Sequence, residues 1–135
     1  MEMKFYRCSV CGQIVAIVEE SGVPLVCCGQ EMEEMLPGSV DSYREKHVPV
    51  IKVHGDEVIV TIGSEPHPMT DSHSIEWVSL QTKYGNQRKA LQPNDKPQVC
   101  FRICDGDEVL FSFAYCNVHG LWKGEYHGQN DGSMQ

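Results

Sequence analysis

Beyond Pro37-Gly38, hydrophobic and polar positions alternate with the two-residue period of strands. Val48 to Val53 and Glu57 to Ile62 are rich in β-branched residues, and His54-Gly55-Asp56 between them reads as a turn. Ser74 to Gln81 alternates, with Ile75 and Trp77 on one face and Glu76 on the other. Gln98 to Cys104 places Val99, Phe101 and Ile103 on one face and Cys100, Arg102 and Cys104 on the opposite one. Asp105-Gly106-Asp107 then predicts a hairpin turn into Val109 to Tyr115, and Leu121 to Tyr126 predicts a last strand. No stretch carries helical periodicity. Roughly seven short strands separated by turns predict a mostly β chain built around an immunoglobulin-like sandwich.

The cysteines divide the chain. There are seven, an odd number, and Cys8, Cys11, Cys27 and Cys28 cluster at the start. Residues 1–36 are too few to bury enough apolar surface alone, so a metal would have to stabilise them. Three segments are expected: a small metal domain at 1–36, the sandwich at 37–127 and a loose tail at 128–135. The 135 residues suffice for one ordinary domain and a satellite. The net charge of −8 argues against nucleic acid as a partner, since phosphate binding needs clustered Lys and Arg. The start lacks the apolar stretch of a signal peptide, and the early run Ile14 to Val18 is far short of a membrane span. A soluble, cytoplasmic protein with no membrane association is expected. In a reducing compartment, cysteines are more often metal ligands or catalytic groups than disulfides.

Cys8-Ser9-Val10-Cys11 is a Cys-x2-Cys pair, and Cys27-Cys28 follows it as an adjacent pair. Four thiolates suit tetrahedral iron or zinc. Successive side chains of extended backbone point to opposite sides, so two adjacent ligands require strained backbone or a distorted tetrahedron. Gly12 and Gly29 sit where a tight turn around a metal needs permissive backbone. A structural zinc knuckle stays open as an alternative, whereas a redox dithiol lacks its strand-helix-strand context.

A second constellation combines His47, in Glu45-Lys46-His47-Val48-Pro49, with His67 and His73, in His67-Pro68-Met69-Thr70-Asp71-Ser72-His73, and with Cys116-Asn117-Val118-His119. One soft thiolate with several imidazoles fits redox iron or copper better than magnesium or calcium. Five such ligands leave one octahedral position for a small reacting molecule. His54 and His127 are assigned no metal role. Cys100 and Cys104 would lie about 13 Å apart along one strand, too far to bridge, and read as small buried hydrophobes.

These motifs, taken together, resemble the desulfoferrodoxin family, the two-domain superoxide reductases of anaerobic microbes. The resemblance rests on Cys-x2-Cys with a later Cys-Cys, Glu-Lys-His-Val-Pro, His-Pro-Met-x3-His and Cys-Asn-x-His-Gly, and runs from Cys8 to about Tyr126. It implies a desulforedoxin-like first domain holding iron through Cys8, Cys11, Cys27 and Cys28. It also implies a neelaredoxin-type catalytic domain holding a second iron through His47, His67, His73 and His119 in a plane, with Cys116 axial. Two irons per chain, a homodimer and a rubredoxin-like electron donor follow from the same resemblance.

The implied activity is one-electron reduction of superoxide to hydrogen peroxide without oxygen release. One thiolate leaves ferrous iron a net cation, open to a small anion even in an acidic protein. Lys46 would add to that field and stand near the water that supplies protons, and the family implies Glu45 as a ligand of the oxidised metal. A non-catalytic two-iron electron-transfer protein and a zinc-stabilised binding module are the competing readings.

Overall fold

The computed structural model describes residues 2–39, 47–63 and 67–128. The chain divides into two compact units, Met1–Leu36 and Pro37–Gln135. Of the expected tail, only Gly128 lies within the described residues.

Unit 1 is built from very short strands: β1 (Phe5–Arg7), β2 (Ile14–Ala16), β3 (Val26–Cys27), β4 (Gln30–Glu31) and β5 (Glu33–Glu34). They form a three-stranded sheet ordered β2-β1-β5 and a β3-β4 hairpin. Among the described residues of this unit only Phe5 and Cys8 are buried, so its apolar core is minimal.

Unit 2 contains seven strands: β6 (Pro49–His54), β7 (Glu57–Ile62), β8 (Ile75–Thr82), β9 (Gly85–Ala90), β10 (Gln98–Arg102), β11 (Val109–Cys116) and β12 (Gly120–Glu125). They form two antiparallel sheets, β10-β7-β6 and β12-β11-β8-β9. Both sheets contribute to one core, with Val58, Val60 and Ile62 from one and Ile75, Val78, Leu80 and Ala114 from the other, all fully buried. This is the expected all-β sandwich. In β7 every second residue faces inward, as the period of a half-buried strand requires.

Two expectations need correction. β10 and β11 are not a hairpin: β10 pairs with β7, while β11 pairs with β8 and β12. Asp105-Gly106-Asp107 therefore carries the chain from one sheet to the other. Cys104 is exposed because the strand ends at Arg102 and releases it into the turn, and Cys100 is only half-buried because it lies on the face of β10 opposite the buried Val99 and Phe101. β9 has no counterpart in the hydrophobic pattern, since all six of its residues are exposed. It is held by pairing with β8, and Gln87 and Lys89 donate from it to the carbonyls of Arg102 and Cys100. No helix among the described residues is long and apolar enough to cross a membrane.

Candidate metal centres

The first centre is assembled locally. Cys8 follows β1, its carbonyl accepts from the Gly12 amide at 2.9 Å, and the Cys11 amide points at its Sγ at 3.5 Å. Gly12 has φ +82°, so a turn closes around the first pair of sulfurs. Cys28 and Gly29 form the two-residue loop of the β3-β4 hairpin, with φ +54° and +74°. Positive φ at both positions belongs to a tight hairpin turn, and at a non-glycine residue it costs on the order of 1–3 kcal/mol. The strain expected from adjacent ligands is thus located at Cys28.

All four sulfurs lie within 4.8 Å of one another. Cys11 and Cys27 Sγ are 3.8 Å apart, and Cys27 and Cys28 Sγ are 4.0 Å apart. Tetrahedral bonds of about 2.3 Å place thiolates about 3.8 Å from one another, so the set fits one ion. Its electrostatics agree. The Cys11 amide lowers the Cys8 thiol to about 6. The Cys8 and Cys11 sulfurs push the Cys27 thiol up to about 12, and Cys11 and Cys8 raise Cys28 too. Without a cation the cluster resists full ionisation; a bound metal ion relieves that repulsion.

The second centre is assembled from distant segments. His47 lies two residues before β6, and His67 and His73 lie on the connection from β7 to β8. Cys116 ends β11, and His119 lies in the turn into β12. The four imidazoles form a closed ring of edge-to-face neighbours. Centroids are 4.8 Å apart for His47 and His67, 4.9 Å for His67 and His73, 5.1 Å for His73 and His119, and 4.7 Å for His119 and His47. Ligand atoms of His47, His67, His73 and Cys116 lie within 4.8 Å of one another. His119 adjoins that group, its Nδ1 3.0 Å from His47 Nε2 and 3.9 Å from Cys116 Sγ. Two nitrogens bound at about 2.1 Å and at right angles would be about 3.0 Å apart.

The fit to a metal is clearest at His67 and His73, whose Nε2 atoms are buried without a hydrogen-bond partner. His67 Nδ1 is 2.6 Å from the Pro68 carbonyl oxygen, which can only accept, so Nδ1 carries the proton and Nε2 presents its lone pair. Burial depresses the His67 imidazole to about 4 and lowers His73 as well, which keeps both neutral and able to ligate at neutral pH. Burial raises the Cys116 thiol, opposed by the amides of His119 and Val118; the His119 amide lies 3.4 Å from the sulfur. The predicted Glu45 and Lys46 lie outside the described residues.

Two supporting residues were not assigned roles from the sequence. Asn117 joins the two ligand-bearing loops. Its Oδ1 accepts from the Ser74 amide at 2.9 Å, its Nδ2 donates to the Ser72 carbonyl at 3.0 Å, and its own amide donates to the Ser74 carbonyl at 3.2 Å. Its sequence signal was its place in the Cys-Asn-x-His-Gly motif, directly after Cys116. Trp122 stacks on His47, and nothing in the sequence distinguishes it from a core aromatic.

The desulfoferrodoxin family profile matches residues 39–125, and that of the desulfoferrodoxin N-terminal domain matches residues 1–35. The chain belongs to the desulfoferrodoxin family. The desulfoferrodoxin of Syntrophotalea carbinolica is 41% identical over 92% of this chain and 97% of its own. The superoxide reductase of Pyrococcus abyssi is 38% identical, covering 60% of this chain and 85% of its own. The crystal structure of the superoxide reductase from Treponema pallidum aligns with a TM-score of 0.80 at 36% identity, over 92% of this chain and 98% of that one. Membership of this two-part family agrees with a chain that presents one four-cysteine group and one histidine–cysteine group.

Proposed function

We propose that the chain is a superoxide reductase carrying two irons, one held by Cys8, Cys11, Cys27 and Cys28 and one by His47, His67, His73, His119 and Cys116. The observation that carries this reading is the closed ring of four imidazoles beside a fully buried cysteine. These residues would hold an iron, which when bound would supply the single electron that takes superoxide, with two protons, to hydrogen peroxide.

The protein's own groups set the conditions for that chemistry. The Cys116 thiolate places an anionic, electron-donating sulfur at the centre, an effect also used by cysteine-ligated haem. The His119 amide at 3.4 Å tempers the charge on that sulfur. The Pro68 carbonyl holds His67 in the ligating tautomer. By family resemblance Lys46, outside the described residues, would draw the substrate anion inward and assist proton delivery. The same resemblance implies that Glu45, also outside the described residues, would ligate the oxidised metal. An anionic sulfur and an anionic cap both favour ferric over ferrous iron, which disfavours oxidising a second superoxide. A rubredoxin-like protein would return the electron, and the chain would act as a homodimer; family resemblance supports both assignments.

The test mixes ferrous protein with excess superoxide and no electron donor, then measures oxygen and peroxide together. Peroxide should appear once per ferrous centre, with no enzyme-dependent oxygen, and turnover should resume only with a donor. Sustained superoxide loss with stoichiometric oxygen above the spontaneous background would sink the assignment.

A further inference from the structure

One indole touches two neighbouring histidines of the second centre, one at its ring and one at its backbone. The half-buried Trp122 of β12 stacks on the His47 ring at a centroid distance of 4.8 Å and an interplanar angle of 18°. Its Nε1–H donates to the His119 carbonyl at 3.2 Å. His47 and His119 are the pair whose nitrogens lie 3.0 Å apart. The indole is itself fixed by Gly38. A Cβ at that position would fall 2.7 Å from Cζ3 and 2.8 Å from Cε3 of the ring. The two backbones are tied as well, with the Gly38 amide donating to the Leu121 carbonyl at 3.0 Å and the Lys123 amide to the Gly38 carbonyl at 2.8 Å.

We propose that Trp122 is a positioning residue that sets the placement of His47 against His119, and with it the metal affinity and ligand field of the second centre. The torsion that rotates an imidazole about its Cβ–Cγ bond has broad minima, so local geometry leaves the ring plane loosely defined. A near-parallel indole defines that plane for His47. At His119 the control acts through the backbone. The carbonyl that receives the indole N–H precedes Gly120, whose φ of +85° turns the chain, so the hydrogen bond fixes the peptide from which the ring projects. Partners of ligands typically alter metal affinity about 10–100-fold. The contribution of Trp122 is therefore expected in metal retention rather than in the fold.

The inference rests on the second centre binding iron, so the experiment begins with the parent. Metal-free, full-length protein is titrated anaerobically with ferrous iron, oxidised, and challenged with a chelator while the visible sulfur-to-metal band is followed. Failure of the parent to bind at the second centre would defeat the functional reading itself. With the parent loaded, Trp122→Leu and Gly38→Ala, which crowds the indole, should release iron from the second centre about 10–100-fold faster and shift its band. The four-cysteine centre of the same chain serves as the unchanged reference. Trp122→Phe, which keeps a flat ring but lacks the N–H, should show a smaller change in the same direction. If Trp122→Leu does not fold, Gly38→Ala and Trp122→Phe decide: faster release with a shifted band in either upholds the role. Parental release and an unshifted band in the folded variants overturn it, even if their melting temperatures fall, because a merely structural tryptophan would lower stability without moving the band.

Discussion

Replacing Asn117 by Ala should cost the sandwich about 2–3 kcal/mol in the metal-free protein, chiefly by stranding one amide. The substitution removes two side-chain hydrogen bonds and leaves the backbone bond from the Asn117 amide to the Ser74 carbonyl in place. Ser72 is exposed, so its carbonyl regains water and the loss there is about 0.5–1.5 kcal/mol. Ser74 is only 5% exposed, so its amide finds no ready substitute, and an orphaned buried donor costs about 1–3 kcal/mol. For a domain of this size the sum lowers the melting midpoint by roughly 10–20 °C. Tryptophan fluorescence reads this unit alone, because Trp77 and Trp122 both lie in unit 2 and the chain has two tryptophans. Asn117→Asp keeps an acceptor for the Ser74 amide but sets an oxygen against the Ser72 carbonyl, so it should cost less than Ala. A loss below about 0.5 kcal/mol for Ala, the range of an ordinary surface change, or a larger loss for Asp than for Ala, would refute the reasoning.

Other perturbations separate the two centres and their scaffolds. Cys11→Ser should halve the iron content and unfold residues 1–36 while superoxide reduction survives; loss of all activity in folded protein would make the first centre obligatory. Gly124→Ala would place a Cβ onto the Pro49 carbonyl oxygen, two residues after His47, and should cost about 2–3 kcal/mol in the same fluorescence assay. Gly85→Ala, where a Cβ meets nothing within 4 Å, is the control and should stay close to the parent. In the metal-free protein the buried His67 titrates near 4 against about 6.5 when unfolded, so the unfolded chain takes up its proton first as pH falls. Stability should therefore decline as pH drops from about 6.5 towards 4, and a flat profile of unfolding midpoints between pH 7 and 5 would contradict that sign. Lys46→Met should slow the reaction with superoxide most at low ionic strength, and identical rates and salt dependence in mutant and parent would remove Lys46 from substrate steering.

Six of the seven strands of unit 2 were legible because a half-buried strand writes its geometry into alternate residues, as β7 does with Val58, Val60 and Ile62. β9 was not, because Asn86, Gln87, Arg88 and Lys89 bury nothing, and the strand exists through backbone pairing and side-chain donors. The false hairpin has a related cause. Asp105-Gly106-Asp107 carries turn chemistry, but turn residues state that the chain bends and not which sheet receives it. Both candidate metal groups were visible because His and Cys have few other reasons to cluster. The residues that hold those side chains in place, Asn117 and Trp122, were not, since an amide and an indole serve equally well in turns and cores.

The two centres stand in opposite relations to the fold around them. At the first, Cys8, Cys11, Cys27 and Cys28 come from one short stretch, the surrounding strands are two or three residues long, and Cys28 holds a strained φ of +54°. Little besides a metal can offset that strain, so binding energy there is folding energy. At the second, His47, His67, His73, Cys116 and His119 arrive from segments far apart in sequence, carried by a sandwich with an extensive buried apolar core. That core does not need the metal, and the geometry of the site is inherited from it. Substitutions should accordingly be felt in different places. Unit 1 is vulnerable mainly at its four sulfurs. The second centre is vulnerable also at Asn117, Trp122 and Gly124, none of which presents a ligand atom, because the spacing of its imidazoles is set by how loops and strands are fastened to one another.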